Sequence, residues 1–145
     1  MTYSELKEKQ ENEINNFPIQ WAFSKKQAEE GFKNLGLNYS NPEDHNKIAV
    51  INGGGFMLLS DEDKYYSMLK RHSEEIINFR ADKQEFIKAL VYEMKNYEMI
   101  YSHDSSGVKS ELRITEEDFK NSYILECWNI AQKQYQDFCI EKDLI

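Results

Sequence analysis

The sequence predicts an α+β domain, predominantly helical, in which four or five helices pack around a small antiparallel β-hairpin with room for a third strand. Three observations carry that expectation. Apolar residues recur at helical spacing over most of the chain, as in Tyr65, Leu69, Ile76 and Phe79. One glycine cluster, Gly53-Gly54-Gly55, stands between two apolar quartets, residues 48–51 and 56–59. Asn52-Gly53 there accepts the positive φ that a tight hairpin needs. Finally, 40% hydrophobic and 13% aromatic residues in 145 are too many for a disordered chain and enough for one domain over 1–145.

Thr2-x-x-Glu5 is a capping box and opens a helix over 3–16, whose apolar positions are sparse. Pro18 ends it, and residues 19–23 read as an extended piece able to add a third strand. Ser24-x-x-Gln27 opens a second helix that buries Ala28, Phe32 and Leu35; Gly36 closes it as a left-handed cap with Leu37 folded back. A polar loop leads to the hairpin, whose strands are apolar on consecutive residues and so need cover on both faces. Ser60 caps the next helix. From residue 61 to 101 the apolar stripe holds its phase, but Asp82-x-x-Glu85 is a cap, and two antiparallel helices are preferred to one very long one. Residues 102–107 read as loop and 108–114 as ambiguous. Thr115 caps the last helix, 116–142, whose wide stripe (Ile124, Cys127, Trp128, Ala131, Tyr135, Phe138) marks the centre of the core.

Composition excludes several classes. A net charge of −8, with lysine and arginine scattered, argues against nucleic-acid binding through a basic surface. No apolar run reaches the roughly 18 residues of a membrane span, and the first residues lack the features of a secretory signal. Cys127 and Cys139 lie on one helix, about 18 Å apart at 1.5 Å per residue, too far to bridge. Two buried, reduced thiols and a cytoplasmic location follow. The acidic excess serves solubility or, alternatively, a basic partner surface or mimicry of DNA, and its clusters sit at helix starts, where the macrodipole favours them.

Motifs for chemistry are few. The glycine loop joins two strands, no lysine follows it, and Asp61-Glu62-Asp63 would repel a phosphate. H-E-x-x-H, C-x-x-C and G-x-S-x-G do not occur, so no metal, cofactor or nucleophile is expected. His72 is the exception, since it stands on an apolar stripe. If the chain turns near residues 80–82, it falls opposite Val91, Tyr92 or Glu93, with Asn96 and Glu98 within about a turn. His72, Glu93, Asn96 and Glu98 are therefore the candidate polar site. A His72–Glu93 hydrogen bond is expected, either as a buried pair held for packing specificity or as an acid–base or metal site. Trp21, Tyr39, Tyr65 and Tyr66 are candidate partner-binding aromatics.

Phe17-Pro18-Ile19-Gln20-Trp21-Ala22-Phe23-Ser24-Lys25-Lys26-Gln27, followed by Gly31-Phe32-x-x-Leu35-Gly36-Leu37, resembles the opening of an uncharacterised family of small proteins from Firmicutes and their phages. Gly53-Gly54-Gly55-Phe56, Arg71-His72 and Tyr92-Glu93-Met94-x-Asn96-Tyr97-Glu98 fit the same resemblance, which extends to about Tyr101. It implies a bacterial or phage cytosolic setting and no particular activity. The resulting expectation is a non-catalytic accessory protein acting through an unknown protein partner. A small metal-dependent or acid–base enzyme using His72, Glu93 and Glu98 is the alternative. A self-associating structural protein is a third reading, and monomer and homodimer stay open.

Overall fold

The computed structural model describes residues 1–145. It is α+β and mostly helical, with seven α-helices and a three-stranded antiparallel sheet. The helices are α1 (Tyr3–Asn16), α2 (Lys25–Asn34), α3 (Glu62–Phe79), α4 (Lys83–Asn96), α5 (Met99–Ser102), α6 (Ser106–Glu111) and α7 (Ser122–Glu141). The strands are β1 (Gln20–Trp21), β2 (Ile48–Ile51) and β3 (Gly55–Leu58). No helix is long and apolar enough to cross a membrane. The residues group into two compact units, a sheet unit (Glu8–Arg71) and a helical unit (Met1–Lys7 with His72–Ile145), with the boundaries falling inside α1 and α3.

In the sheet unit, β3 is central and pairs antiparallel with both neighbours, in the order β1-β3-β2. The register sets Gln20 opposite Phe56, Trp21 and Ile51 opposite Gly55, and Ile48 opposite Leu58. Asn52, Gly53 and Gly54 turn the hairpin, and both glycines have φ near 90° (87° and 88°), a region open to glycine and costly for other residues. Residues 19–23 do supply the third strand. Ser24 caps α2 by accepting from the Gln27 N–H (3.2 Å), and the Leu37 N–H folds back to the Phe32 carbonyl (2.8 Å) across the left-handed Gly36. α2 lies against the sheet through Phe32 and Gly31; a Cβ on Gly31 would overlap the Phe56 ring. Glycine here is what brings helix backbone close to sheet.

The helical unit is built on α4 and α7. Phe86, Ala89, Leu90 and Met94 of α4 and Cys127, Ala131 and Cys139 of α7 have no solvent exposure, and burying each large apolar side chain is worth about 1.5–3 kcal/mol. Both helices start on side-chain caps: Asp82 accepts from the Glu85 N–H (3.2 Å) and Asn121 from the Tyr123 N–H (2.8 Å). Residues 61–101 are thus not one helix. At the far N-terminus the Thr2–Glu5 capping box closes, with bonds of 2.9 and 3.1 Å.

Four expectations need correction. Thr115 does cap, exchanging bonds with Asp118, but it caps a 3₁₀ turn (Glu117–Lys120), and α7 begins afterwards. Ser60 lies inside a 3₁₀ turn (Leu59–Asp61) that runs straight into α3. Residues 102–107, expected as loop, and 108–114, expected as ambiguous, instead finish α5 and form α6; left-handed Glu98 and His103 bound α5, and left-handed Arg113 follows α6. Finally, α4 packs chiefly on α7 rather than pairing with α3.

A buried carboxylate network as the candidate functional site

The polar centre of the helical unit is Glu93, which the solvent does not reach at all. It stands on the buried stripe of α4 between Leu90 and Met94, where a leucine would otherwise fit. An unpaired carboxylate in that place is costly, so its partners are decisive. The Tyr3 hydroxyl donates to it at 3.0 Å and the Asn96 amide at 3.2 Å, while the Lys7 ammonium stands 3.7 Å away. Lys7 also donates to Glu111 at 3.0 Å, and the Tyr97 hydroxyl donates to the other Glu111 oxygen at 2.9 Å.

Helical spacing assembles these groups. Tyr3 and Lys7 are four apart on the first turns of α1, so both side chains leave the same face. Lys7 also lies over the Tyr3 ring, 5.4 Å from its centre. Glu93, Asn96 and Tyr97 occupy one face of the end of α4 by the same rule. Glu111 comes from the last turn of α6, and Gly107, one turn earlier, has no Cβ to strike the Tyr97 ring that lies against it. Tyr3 is further fixed between Phe79 (5.8 Å between ring centres) and Tyr92 (6.0 Å).

Electrostatics holds each proton where the bonds require it. Burial and the neighbouring Glu93 charge push the Tyr3 hydroxyl well above the usual tyrosine range. Burial alone would lower Lys7, but its bond to Glu111 and the two carboxylates outweigh burial and raise it. Burial alone would likewise raise Glu111, yet the bonds from Lys7 and Tyr97 outweigh it and hold the carboxyl below its usual range. The bond to Glu111 raises Tyr97. Each of these shifts moves away from neutrality, whereas an acid–base catalyst needs a group that titrates near the working pH.

Of the polar residues singled out in the sequence, the structure joins Glu93 and Asn96. The hydrogen bonds that Glu93 accepts come from Tyr3 and Asn96, not from His72, so the expected His72–Glu93 pairing gives way to Tyr3; His72 itself is buried on α3. Glu98 departs from the group, because its left-handed backbone (φ 48°) caps α5 and leaves it exposed. Among the aromatics, Trp21 and Tyr66 are about half exposed. Tyr39 packs edge-on against Phe32 and His45; Tyr65 packs edge-on against Tyr66 and tilted against Phe17. The Cys127 thiol is pushed up by burial, which leaves it poorly nucleophilic.

Sequence reasoning missed Tyr3, Lys7, Tyr97 and Glu111. The first two left a faint trace, an i, i+4 Tyr–Lys pair on a helix with few apolar positions to bury. Glu111 left none. Neither a curated protein nor a solved structure matches the chain significantly. A family of unknown function (DUF7659) matches residues 2–134, and the chain belongs to that family.

Proposed function

We propose that this is a non-catalytic accessory protein of a bacterial or phage cytosol, of Firmicutes or mobile-element type, that works by binding a protein partner. The observation that carries the reading is the network around Glu93. Its titratable groups are spent on one another, and the shifts at Tyr3, Lys7, Tyr97 and Glu111 stabilise the protonation states they hold at neutral pH. Such a cluster stabilises a fold rather than moving protons. Exposed Trp21 and Tyr66 supply aromatic surface of the kind that dominates protein contacts.

The test is recovery of the tagged chain from its host, with and without phage infection. One protein should co-purify in fixed stoichiometry, and its binding should weaken in a Trp21→Ser or Tyr66→Ser variant. Metal analysis of protein purified without chelator or nickel resin tests the enzyme alternative. Stoichiometric metal that is lost in His72→Ala would overturn the accessory reading.

A further inference from the structure

We propose that the outer edge of β2 pairs antiparallel with the same edge of a second copy of this chain, joining two three-stranded sheets into one. The sheet order leaves β2 with a single neighbour, β3. Hydrogen-bond alternation decides which backbone groups remain open. The Ala22 N–H donates to the Gly54 carbonyl (2.9 Å) with Trp21 opposite Gly55, so Gln20 and Phe56 are the directly bonded pair and Phe56 faces β1. Gly55 and Met57 then face β2, and they occupy Ile51 and Ala49. Ile48 and Val50 therefore direct N–H and C=O groups to the open edge.

Natural sheets guard such edges with very short strands, lysine, proline, a bulge or a covering element; β2, at four residues, is short but still opens two residues to pairing. Neither outward residue of β2 is of that kind, and Val50 is 72% exposed. The nearest lysine, Lys47, is turned to Asp44 at 2.9 Å. The edge is also self-complementary. About a twofold axis at Ala49, Ile48 lies opposite the second copy's Val50 and Val50 opposite its Ile48, and each pair can exchange both backbone bonds.

Twofold self-complementarity commits the edge to a second copy, and the charge distribution permits it. Two chains of net charge −8 repel over most of their surface, in a sequence that is 30% charged. Residues 48–60 carry no charged side chain, nor do residues 14–24, which supply β1. Two copies meet there with no like charges directly opposed within these residues, whereas a basic partner would find nothing in them to pair with. This pairing does not depend on the accessory-protein reading.

The test is the mass of the full chain by sedimentation from micromolar to near-millimolar concentration, beside Val50→Pro and Val50→Lys. The wild type should approach twice the 17.2 kDa chain mass, and both variants should remain monomeric with unchanged circular dichroism. Amide exchange in the wild type gives an independent reading that needs no variant: the Ile48 and Val50 N–H groups should become protected as concentration rises. A wild-type monomer throughout, a dimer that survives both substitutions, or amides that exchange freely in the dimer would each overturn the proposal. A monomer whose Ile48 and Val50 amides become protected only on adding another protein would assign the edge to that protein and overturn self-pairing.

Discussion

Glu93 and Gly31 hold comparable places in their units, each on a helix where it meets its neighbours, and they solve the contact in opposite ways. Glu93 brings a charge into the helical unit and gathers Tyr3, Lys7 and Asn96 to neutralise it. Gly31 brings no side chain and lets α2 settle onto the Phe56 ring. The first contact is directional, because a carboxylate accepts bonds along fixed directions; the second depends only on shape. Specificity in the helical unit is thus written in hydrogen bonds, and in the sheet unit in volume.

The largest test of that contrast is Glu93→Ala. It leaves the buried Tyr3 hydroxyl unpaired, at a cost of about 1–3 kcal/mol, and opens a cavity in the core besides, so denaturant unfolding should show the largest loss of the set. Glu93→Gln, which keeps an acceptor, should lose clearly less; equal losses would mean that volume matters there too. Next is Gly31→Val, which overpacks the helix–sheet contact at a cost of about 1–3 kcal/mol, against a helical gain below about 1 kcal/mol. No loss at Gly31 would remove the shape argument.

Acid and alkali probe the helical unit more gently. Glu111 is held below its unfolded value, so its contribution is complete above the usual glutamate range and disappears as pH falls through the folded value. Lys7 is raised, so its contribution is complete below the usual lysine range and is lost as pH climbs through the folded value. Glu111→Gln should therefore flatten the acid limb of a stability–pH curve measured by thermal midpoints. Both side chains are about a third exposed, which screens the effect. The smallest change belongs to Tyr66→Ser on the exposed surface, which should shift stability by less than about 0.5 kcal/mol. A larger loss would show that Tyr66 holds up the fold.

Local chemistry was legible at several helix ends but not at Ser60 or Thr115, where a 3₁₀ turn intervenes. Thr2–Glu5 closed as a reciprocal box, Ser24 and Asp82 capped their helices, Gly36 took the left-handed cap, and the glycine cluster turned a hairpin. The break after α4 and the helix within 102–114 were illegible, because the chain turns there on left-handed Glu98, His103 and Arg113, where glycine would have signalled the conformation. Periodicity showed which face of α4 is buried but not that α7 covers it. The site divides the same way: Glu93 was legible only as a residue expected to face His72, while Glu111 had no local reason to be noticed.

The bonds from Tyr3 to Glu93 and from Lys7 to Glu111 span 90 and 104 residues of chain. A ribosome delivers the carboxylate partners of residues 1–7 only after the whole of 8–71 has followed them. The opening turns of α1 must therefore wait undocked from those partners while that stretch is made, and contacts this distant in sequence slow folding. Closing this network is a late event in the life of each molecule, although half of it emerges well before the other half.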